Sequence, residues 1–172
     1  MPVYDFSAFG FCSTCEATFN PLLLHLLTFP STFSSSSPVH HADGHRLAVP
    51  TVAAINGHCF AAGAMLALAC DYRVMTDGAK RNAWLCMNEV DFGAPWPVSF
   101  GAVVRAKVAV TALRRFALEG HRFTPSEARD AGLVDEIVSG GTQGVLKRAR
   151  EIAEDKAPKA REGVWGLIKV RL

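Results

Sequence analysis

Residues 52–71 read VAAINGHCFAAGAMLALACD, and this stretch decides the fold. The apolar, β-branched run Val49–Ile55 predicts a buried strand, which the turn residues Asn56 and Gly57 end. Residues 59–70 are small and apolar on every side, and that pattern predicts a helix buried all round. A buried strand that leads through a turn into a buried helix is typical of α/β layering.

The sequence outward from this stretch continues the alternation of strands and helices. Thr124-Pro125-Ser126-Glu127 is a capping box with proline at the first helical position, so it predicts a helix that ends near Gly132. Further apolar runs predict strands over 72–75, 84–87 and 134–138, and helices over 99–107, 110–118, 142–156 and from 160. The fold class is therefore α/β, in a domain that covers 48–172.

Residues 1–47 differ from the rest of the chain. Asn20 and Pro21 are the capping residue and first-turn proline of one short apolar helix over about 20–28. Serine, histidine and proline then crowd residues 31–49, a composition that predicts a disordered insert. Three histidines (40, 41 and 45) and one CxxC pair (12 and 15) lack the matching ligands of a metal site, so no metal is expected.

Composition excludes several classes of protein. With 49% hydrophobic and 20% charged residues, the chain is neither wholly disordered nor collagen-like. A net charge of +2 does not indicate the strongly basic surface that binds nucleic acid. The most apolar stretch, Cys59 to Cys70, is too short to span a bilayer, so no membrane span is expected.

The turn into the predicted helix is the first candidate site. Small residues at 61–64 would let a ligand approach the backbone closely, and the first N–H groups of a helix have no partner inside it. Such donors suit an oxyanion, or a carbonyl oxygen that becomes one. Tight packing between the helix and its strand explains the same small residues equally well.

A carboxylate after the strand predicted over 84–87 is the second candidate site. Glu89 follows an apolar run and precedes a Gly/Pro segment, and a carboxylate in apolar surroundings has a raised pKa and can act as a general base. A solvated loop residue is the ordinary alternative for a lone glutamate. Asp91 lies two residues on, and spacing does not choose between the two carboxylates.

Four blocks of this sequence together resemble the crotonase (enoyl-CoA hydratase/isomerase) superfamily, in its order and near its spacing. They are 52–57 (VAAING), 61–73 (AAGAMLALACDYR), 88–93 (NEVDFG) and 123–135 (FTPSEARDAGLVD). The resemblance implies a crotonase-like ββα spiral core with C-terminal helices. The residues in these blocks look most like those of the peroxisomal-type Δ3-Δ2-enoyl-CoA isomerases of fungi and plants.

The resemblance also implies roles for particular residues. Hydratases of the family use two glutamates, and the position of the first is Met65 here, which cannot move a proton. Glu89 occupies the second position, and one carboxylate fits an isomerase that moves a proton from C2 to C4 of a 3-enoyl-CoA. Ala62 would give one backbone donor to the oxyanion hole, with Ala61, Gly63 and Met65 beside it. A hydratase would need a second carboxylate near Met65, where the sequence has none.

Other family properties follow from the same resemblance. The substrate would be an acyl-CoA thioester of fatty acid β-oxidation, with coenzyme A as part of the substrate and no separate cofactor. The protein would form a homotrimer in which C-terminal helices contribute to the contact. The expected compartment is the peroxisome, or otherwise the cytoplasm, since the last three residues, 170–172, only weakly resemble a peroxisomal address.

The chain departs from the family before residue 50. Nothing in residues 1–19 matches the family's loop for the second oxyanion donor, so we expect an N-terminally truncated core. The family joins segments like those ending at Pro30 and starting at Pro50 almost directly, and we interpret 31–49 as a translated unspliced segment. These departures favour a second function: an impaired remnant that binds acyl-CoA or pairs with intact subunits.

Overall fold

The computed structural model describes residues 48–80, 82–169 and 171. The domain boundary near residue 47, the helix predicted over 20–28 and most of the insert predicted over 31–49 lie outside these residues. Within the described part of the chain, two small parallel sheets and six α-helices alternate along the sequence.

The larger sheet has three parallel strands in the order β1-β3-β5. Its strands are β1 (Val52–Ile55), β3 (Tyr72–Thr76) and β5 (Glu136–Val138). Val52 pairs with Tyr72, and Val74 pairs with Glu136. Parallel neighbours require crossover connections, and the helices between these strands supply them.

The smaller sheet consists of β2 (Cys59–Phe60) and β4 (Leu85–Cys86), which are also parallel. Phe60 pairs with Cys86. Leu85 also forms an antiparallel bridge with Phe123, in which each backbone N–H donates to the other residue's carbonyl oxygen over 2.9 Å. These few backbone hydrogen bonds fix where the residues after Phe60 and Cys86 lie.

The helices agree in number and order with the prediction. Their bounds are α1 Ala62–Ala69, α2 Val98–Lys107, α3 Val110–Ala117, α4 Pro125–Asp130, α5 Gly141–Lys156 and α6 Val164–Lys169, with 3-10 turns at Glu89–Phe92 and Ala157–Ala160. The predicted capping box is confirmed, since Thr124 and Glu127 exchange side-chain-to-backbone hydrogen bonds at the start of α4. None of the helices in the described residues is long and apolar enough to cross a bilayer.

Two predicted boundaries and one predicted burial pattern are wrong. The first strand begins at Val52 rather than Val49, because the Thr51 N–H donates to the Asp71 carboxylate (2.8 Å) and not to a strand. The first helix begins at Ala62 rather than Cys59, because Cys59 and Phe60 pair with β4. Helix α1 buries one face, and its other face is half-buried, so the predicted burial on all sides is only partly met.

Three other predicted boundaries of strands and helices differ from the observed ones. The strand predicted over 84–87 keeps only its two central residues, and the one predicted from Val134 begins at Glu136. Asp135 instead bonds to Arg73 through both its backbone N–H and its carboxylate. The last helix, predicted from residue 160, begins at Val164 instead, because a 3-10 turn ends at Ala160 and residues 161–163 intervene.

Two apolar clusters form the core. The first cluster joins α1 and β4 to α2, α3 and α4, and contains Met65, Leu68, Leu85, Phe116 and Phe123 among others. The second cluster packs α5 on β1 and β3, through Val52, Val74, Val145, Ala149 and Ile152. The two clusters lie on opposite faces of the strands β1 and β3, and the first cluster lies behind both candidate sites.

An ion-pair network that sequence reasoning did not find fastens α6 to the larger sheet. Asp71 Oδ2 accepts hydrogen bonds from Lys169 Nζ (2.8 Å), the Thr51 N–H (2.8 Å) and the Thr51 hydroxyl (3.0 Å). The side chains of Asp71 and Lys169 are 12% and 8% exposed. This part-buried carboxylate therefore has both a counter-charge and hydrogen-bond donors.

Candidate functional site

The two candidate sites meet at the carboxyl edge of the smaller sheet. Because β2 and β4 are parallel and Phe60 pairs with Cys86, the residues that follow each strand emerge at the same edge. The Ala61 N–H donates to the Cys86 carbonyl oxygen over 3.0 Å and extends the pairing by one residue. The start of α1 and the turn that carries Glu89 are therefore brought together by the backbone.

Ala61 has an unusual backbone conformation that ends β2. Its φ is 50° and its ψ is −124°, and it is the one non-glycine residue with positive φ in the described part of the chain. Such a conformation costs about 1–3 kcal/mol and persists only where the surroundings enforce it. It turns the chain within one residue, and its carbonyl oxygen accepts the first bond of α1 from the Met65 N–H (3.1 Å).

The first turn of α1 has open space beside Gly63. Ala62 and Gly63 occupy the first turn, whose N–H groups have no acceptor within the helix. A Cβ placed on Gly63 would meet no atom within 4 Å among the described residues. These residues are half-buried, so a ligand oxygen could approach the donors from the open side.

Glu89 is a buried carboxyl group with an unsatisfied oxygen. It opens the 3-10 turn Glu89–Phe92 and is 8% exposed. Its Oε2 atom has no hydrogen-bond partner among the described residues. Burial raises the pKa of Glu89 above its ordinary value, against smaller lowering effects from its own backbone N–H and the Trp96 indole. A raised pKa and a free oxygen suit a group that takes up and releases a proton.

The structure separates the two rival carboxylates. Asp91 is exposed, and its carboxylate lies beside Gly120, where an added Cβ would come within 2.9 Å of Asp91 Oδ1. Glu89 is the buried member of the pair and the one with an unpartnered oxygen. Spacing gave no way to choose between them, whereas burial favours Glu89.

Met65 belongs to the wall of the site and brings no titratable group. It is 5% exposed and packs in the first cluster. Helix α1, whose sequence is AGAMLALA, has no acidic residue. The described residues therefore place one buried carboxylate, and not two, at this edge.

Other candidate sites remain without support. No group of three or more His, Cys, Asp or Glu residues could hold a metal within 48–80, 82–169 and 171. The CxxC pair and the histidines at 40, 41 and 45 lie outside the described residues. An open cleft of about 450 Å³ lies at the amino end of β4, between residues 77–84 and 124–126, and neither Glu89 nor Ala62 lines it.

Trp96 is the neighbour of Glu89 that sequence reasoning missed. Its half-buried ring packs against the first cluster, and its indole has a small lowering effect on the pKa of Glu89. A tryptophan within a Gly/Pro segment gives no sequence signal for such a contact. Only the fold-back of the turn after Glu89 brings the two side chains together.

Comparisons with known proteins agree with this arrangement. The model of the family described as "Enoyl-CoA hydratase/isomerase" matches residues 33–168. The chain is 40% identical over 128 residues to "Enoyl-CoA delta isomerase 2, peroxisomal" of Arabidopsis thaliana, and 39% identical to "Enoyl-CoA delta isomerase 3" of the same plant. In both cases the match covers 73% of this chain and 52% of the relative. The chain thus spans about half the length of the curated relatives it matches.

Solved structures give the same fold. An enoyl-CoA hydratase from Mycobacterium marinum superposes with a TM-score of 0.65 and 28% identity, over 76% of this chain and 55% of that one. An enoyl-CoA hydratase/isomerase family protein from Pseudomonas syringae gives a TM-score of 0.64 and 26% identity, over 76% and 57%. The predicted crotonase-like α/β fold is confirmed over the matched part of the chain.

Proposed function

This chain belongs to the enoyl-CoA hydratase/isomerase family, and on that premise we propose that it converts 3-enoyl-CoA thioesters to trans-2-enoyl-CoA. One observation carries the proposal. Within the part of the chain that the structure describes, one buried carboxyl group, Glu89, lies with an unpartnered oxygen at the sheet edge where α1 begins. Isomerisation needs one group that removes a proton and returns it elsewhere, and Glu89 is such a group.

The proposed reaction begins with Glu89 as the base. Its carboxylate removes a proton from C2 of the substrate, and the electron pair of that C–H bond enters the thioester as an enolate. The same carboxylic acid then gives the proton to C4, while the double bond shifts to C2–C3. No atom is gained or lost, and no cofactor takes part. A well-placed acid–base group contributes roughly a hundred- to ten-thousand-fold to the rate.

The start of α1 stabilises the charge that develops. The thioester oxygen becomes negative in the enolate, and the Ala62 N–H is a free helical donor at this edge. The open side of Gly63 leaves room for that oxygen. One such donor typically lowers the barrier by about 2.7–4 kcal/mol. The strain at Ala61 supports this role, since it fixes where the helix starts.

Among the described residues, the lack of a second buried carboxylate beside Glu89 argues against hydration. Adding water across a double bond requires one group that activates the water and another that delivers a proton. The position that would hold the second group is Met65, a core side chain without a titratable atom. We therefore assign isomerisation and not hydration.

The substrate, the assembly and the location are proposed from the resemblance to the family. We propose an acyl-CoA thioester of fatty acid β-oxidation as the substrate, a homotrimer as the assembly and the peroxisome as the compartment, which the name of one plant relative states for that protein. A second candidate function, acyl-CoA binding or pairing with intact subunits without turnover, is favoured by one observation. The chain spans about half the length of the curated relatives it matches.

Turnover of a 3-enoyl-CoA by the purified chain tests the proposal, with Glu89→Gln and Asp91→Asn as a matched pair. We expect conjugated 2-enoyl-CoA to form, the Gln variant to lose at least a hundredfold in rate, and the Asn variant to stay within a fewfold of wild type. Folded wild-type protein without turnover would refute the isomerase and leave the binding function. Equal losses in both variants would refute Glu89 as the base.

A further inference from the structure

Ala61 is the residue at which the hydrogen bonding of the chain changes from sheet to helix. Its N–H donates to the Cys86 carbonyl oxygen at the end of β4 (3.0 Å), whereas its carbonyl oxygen accepts from the Met65 N–H in α1 (3.1 Å). Because both bonds belong to one residue, they leave its backbone little freedom. The conformation that they impose, φ 50° and ψ −124°, lies in a region that glycine favours.

The backbone of Ala61 sets the direction of the next N–H group. Its conformation is close to that of the first central residue of a type II′ turn, and its ψ angle orients the peptide group that joins it to Ala62. The carbonyl oxygen of this peptide points along α1 to Met65, and the peptide bonds of the described residues are trans. Since C=O and N–H point in opposite directions in a trans peptide, the Ala62 N–H points out of the amino end of α1.

The amino end of α1 holds two polar groups without partners. The Ala62 N–H has no backbone acceptor among the described residues. Glu89 Oε2, which is buried and likewise without a partner there, belongs to the turn that emerges at the same sheet edge. An unpaired donor beside an unpaired, buried carboxyl oxygen indicates a place for a ligand that bonds to the first and exchanges a proton with the second.

We propose that Ala61 is the positioning residue of the oxyanion donor: its backbone aims the Ala62 N–H at the thioester oxygen, and the position therefore accepts glycine or alanine but not a β-branched residue. The identity of the ligand rests on the proposed isomerase function, whereas the conformation does not. Ala61 is half-buried, so space is not what limits its side chain. The limit is the backbone, because a β-branched residue at positive φ is strained, and relief of that strain would rotate the peptide and turn the donor away.

Urea unfolding of Ala61→Gly and Ala61→Val tests the conformation without any assay of activity. We expect the midpoint of the glycine variant to exceed that of wild type, since relief of strain outweighs the freedom that glycine adds to the unfolded chain, and that of the valine variant to fall. The control is the same pair at Ala53, half-buried in β1, where an extended strand favours valine over glycine. A midpoint of Ala61→Gly below that of wild type would overturn the proposal.

Nuclear magnetic resonance of the full-length, ¹⁵N-labelled chain tests where the donor points. The probe is trans-2-butenoyl-CoA, a member of the proposed product class. We expect the probe to move the Ala62 amide proton downfield in wild type and in Ala61→Gly, and by a smaller amount in Ala61→Val. No shift of Ala62 in folded wild type, or equal shifts in the two variants, would overturn the proposal. If Ala61→Val does not fold, the urea midpoint of Ala61→Gly decides the conformation and the wild-type shift decides the donor.

Turnover of a 3-enoyl-CoA distinguishes this proposal from the isomerase proposal. The kcat of Ala61→Val should lie about tenfold or more below that of Ala61→Gly, with KM within a fewfold, since loss of one oxyanion donor costs roughly a hundred- to a thousandfold in kcat. The same pair at Ala53 should differ by no more than a fewfold. Equal kcat values for the two variants at residue 61 would refute the positioning role. A chain that shows the Ala62 shift but no turnover would refute the isomerase alone.

Discussion

Two carboxyl groups with little solvent exposure, each at the end of a small parallel sheet, differ in their hydrogen-bond and charge partners. Asp71, beside the three-stranded sheet, has the Lys169 ammonium group at 2.8 Å and two hydrogen bonds from Thr51. Glu89 lies beside the two-stranded sheet. Among the described residues, no opposite charge lowers its pKa, and one of its oxygens has no hydrogen-bond partner. Removing one partner of a paired carboxylate leaves the other charge uncompensated, whereas an underbonded carboxylate disfavours its own ionised form.

The difference assigns separate roles to the two regions. The three-stranded sheet is fastened by the ion pair between Asp71 and Lys169, by Arg73 with Asp135 and by Arg148 with Glu136. The two-stranded sheet carries the strained Ala61 and the underbonded Glu89. Strain and unsatisfied groups are expected where a protein keeps a site ready for a ligand. We therefore propose that the smaller sheet is the functional region and that the larger sheet supports it.

The largest effect on stability is expected from Asp71→Asn. The change leaves Lys169 buried without a carboxylate, and breaking a buried pair from one side costs about 3–5 kcal/mol. Urea unfolding at pH 7 measures it. Asp130→Asn, in the exposed pair with Arg129, is the control and should stay within about 0.5 kcal/mol of wild type. Equal losses of unfolding free energy in Asp71→Asn and Asp130→Asn would contradict the supporting role of the larger sheet.

Two glycine-to-alanine changes in helices sharpen the comparison further. A Cβ on Gly144 in α5 would lie 2.0 Å from the Ser139 carbonyl oxygen, so Gly144→Ala should lower the unfolding free energy by about 1–3 kcal/mol. A Cβ on Gly63 meets nothing within 4 Å, and alanine is the better helix former, so Gly63→Ala should gain about 0.5–1 kcal/mol.

The variants Gly144→Ala and Gly63→Ala also distinguish an effect on stability from an effect on activity. The added methyl group at Gly63 narrows the approach to the Ala62 N–H, so kcat/KM should fall while stability rises. Thermal unfolding and the isomerase assay on both variants check this. A loss of stability in Gly63→Ala without a loss of activity would show that Gly63 serves packing alone.

The smallest effect expected is a change in acid sensitivity at α4. A hydrogen bond from the Thr124 backbone, followed by its hydroxyl group and Arg115, lowers the pKa of Glu127 from 4.5 to about 2. The stability that this ionised group contributes is present above pH 4.5 and is lost as the pH falls from there toward 2. Glu127→Gln should therefore lose stability less steeply over that window, as urea midpoints at several pH values would show. The exposed Glu162→Gln should keep the wild-type slope, and a wild-type slope in Glu127→Gln would contradict the assignment.

Local chemistry explains what could be predicted from the sequence. The capping box of α4 needs only Thr124, Pro125 and Glu127 in one turn, and it was found where predicted. The strand through Val74 and the helices after it follow from apolar runs, and they are present with boundaries shifted by a few residues. Four short blocks sufficed to identify the family, which the comparisons confirm.

Contacts between distant residues explain what could not be predicted. Cys59 and Phe60 read as helix, but pairing with residues 85–86 makes them a strand and forces the positive φ at Ala61. Lys169 reaches Asp71 across 98 residues, and Asp135 reaches Arg73 across 62. The choice of Glu89 over Asp91 depends on burial, which neighbouring positions in a loop do not reveal. The roles of Ala61, Ala62 and Met65 in binding stay predictions.

The unfolding free energy of Glu89→Gln, measured against wild type at pH 7 and again near pH 4.5, tests the central claim most directly. Burial raises the pKa of Glu89, so at pH 7 the folded state holds a charge that it disfavours, and glutamine removes that charge. We predict that the variant is at least as stable as wild type at pH 7, with an advantage that shrinks as the pH falls and Glu89 becomes protonated. A variant that is less stable than wild type at both pH values would contradict the account, because Glu89 would then be a structural residue like Asp71.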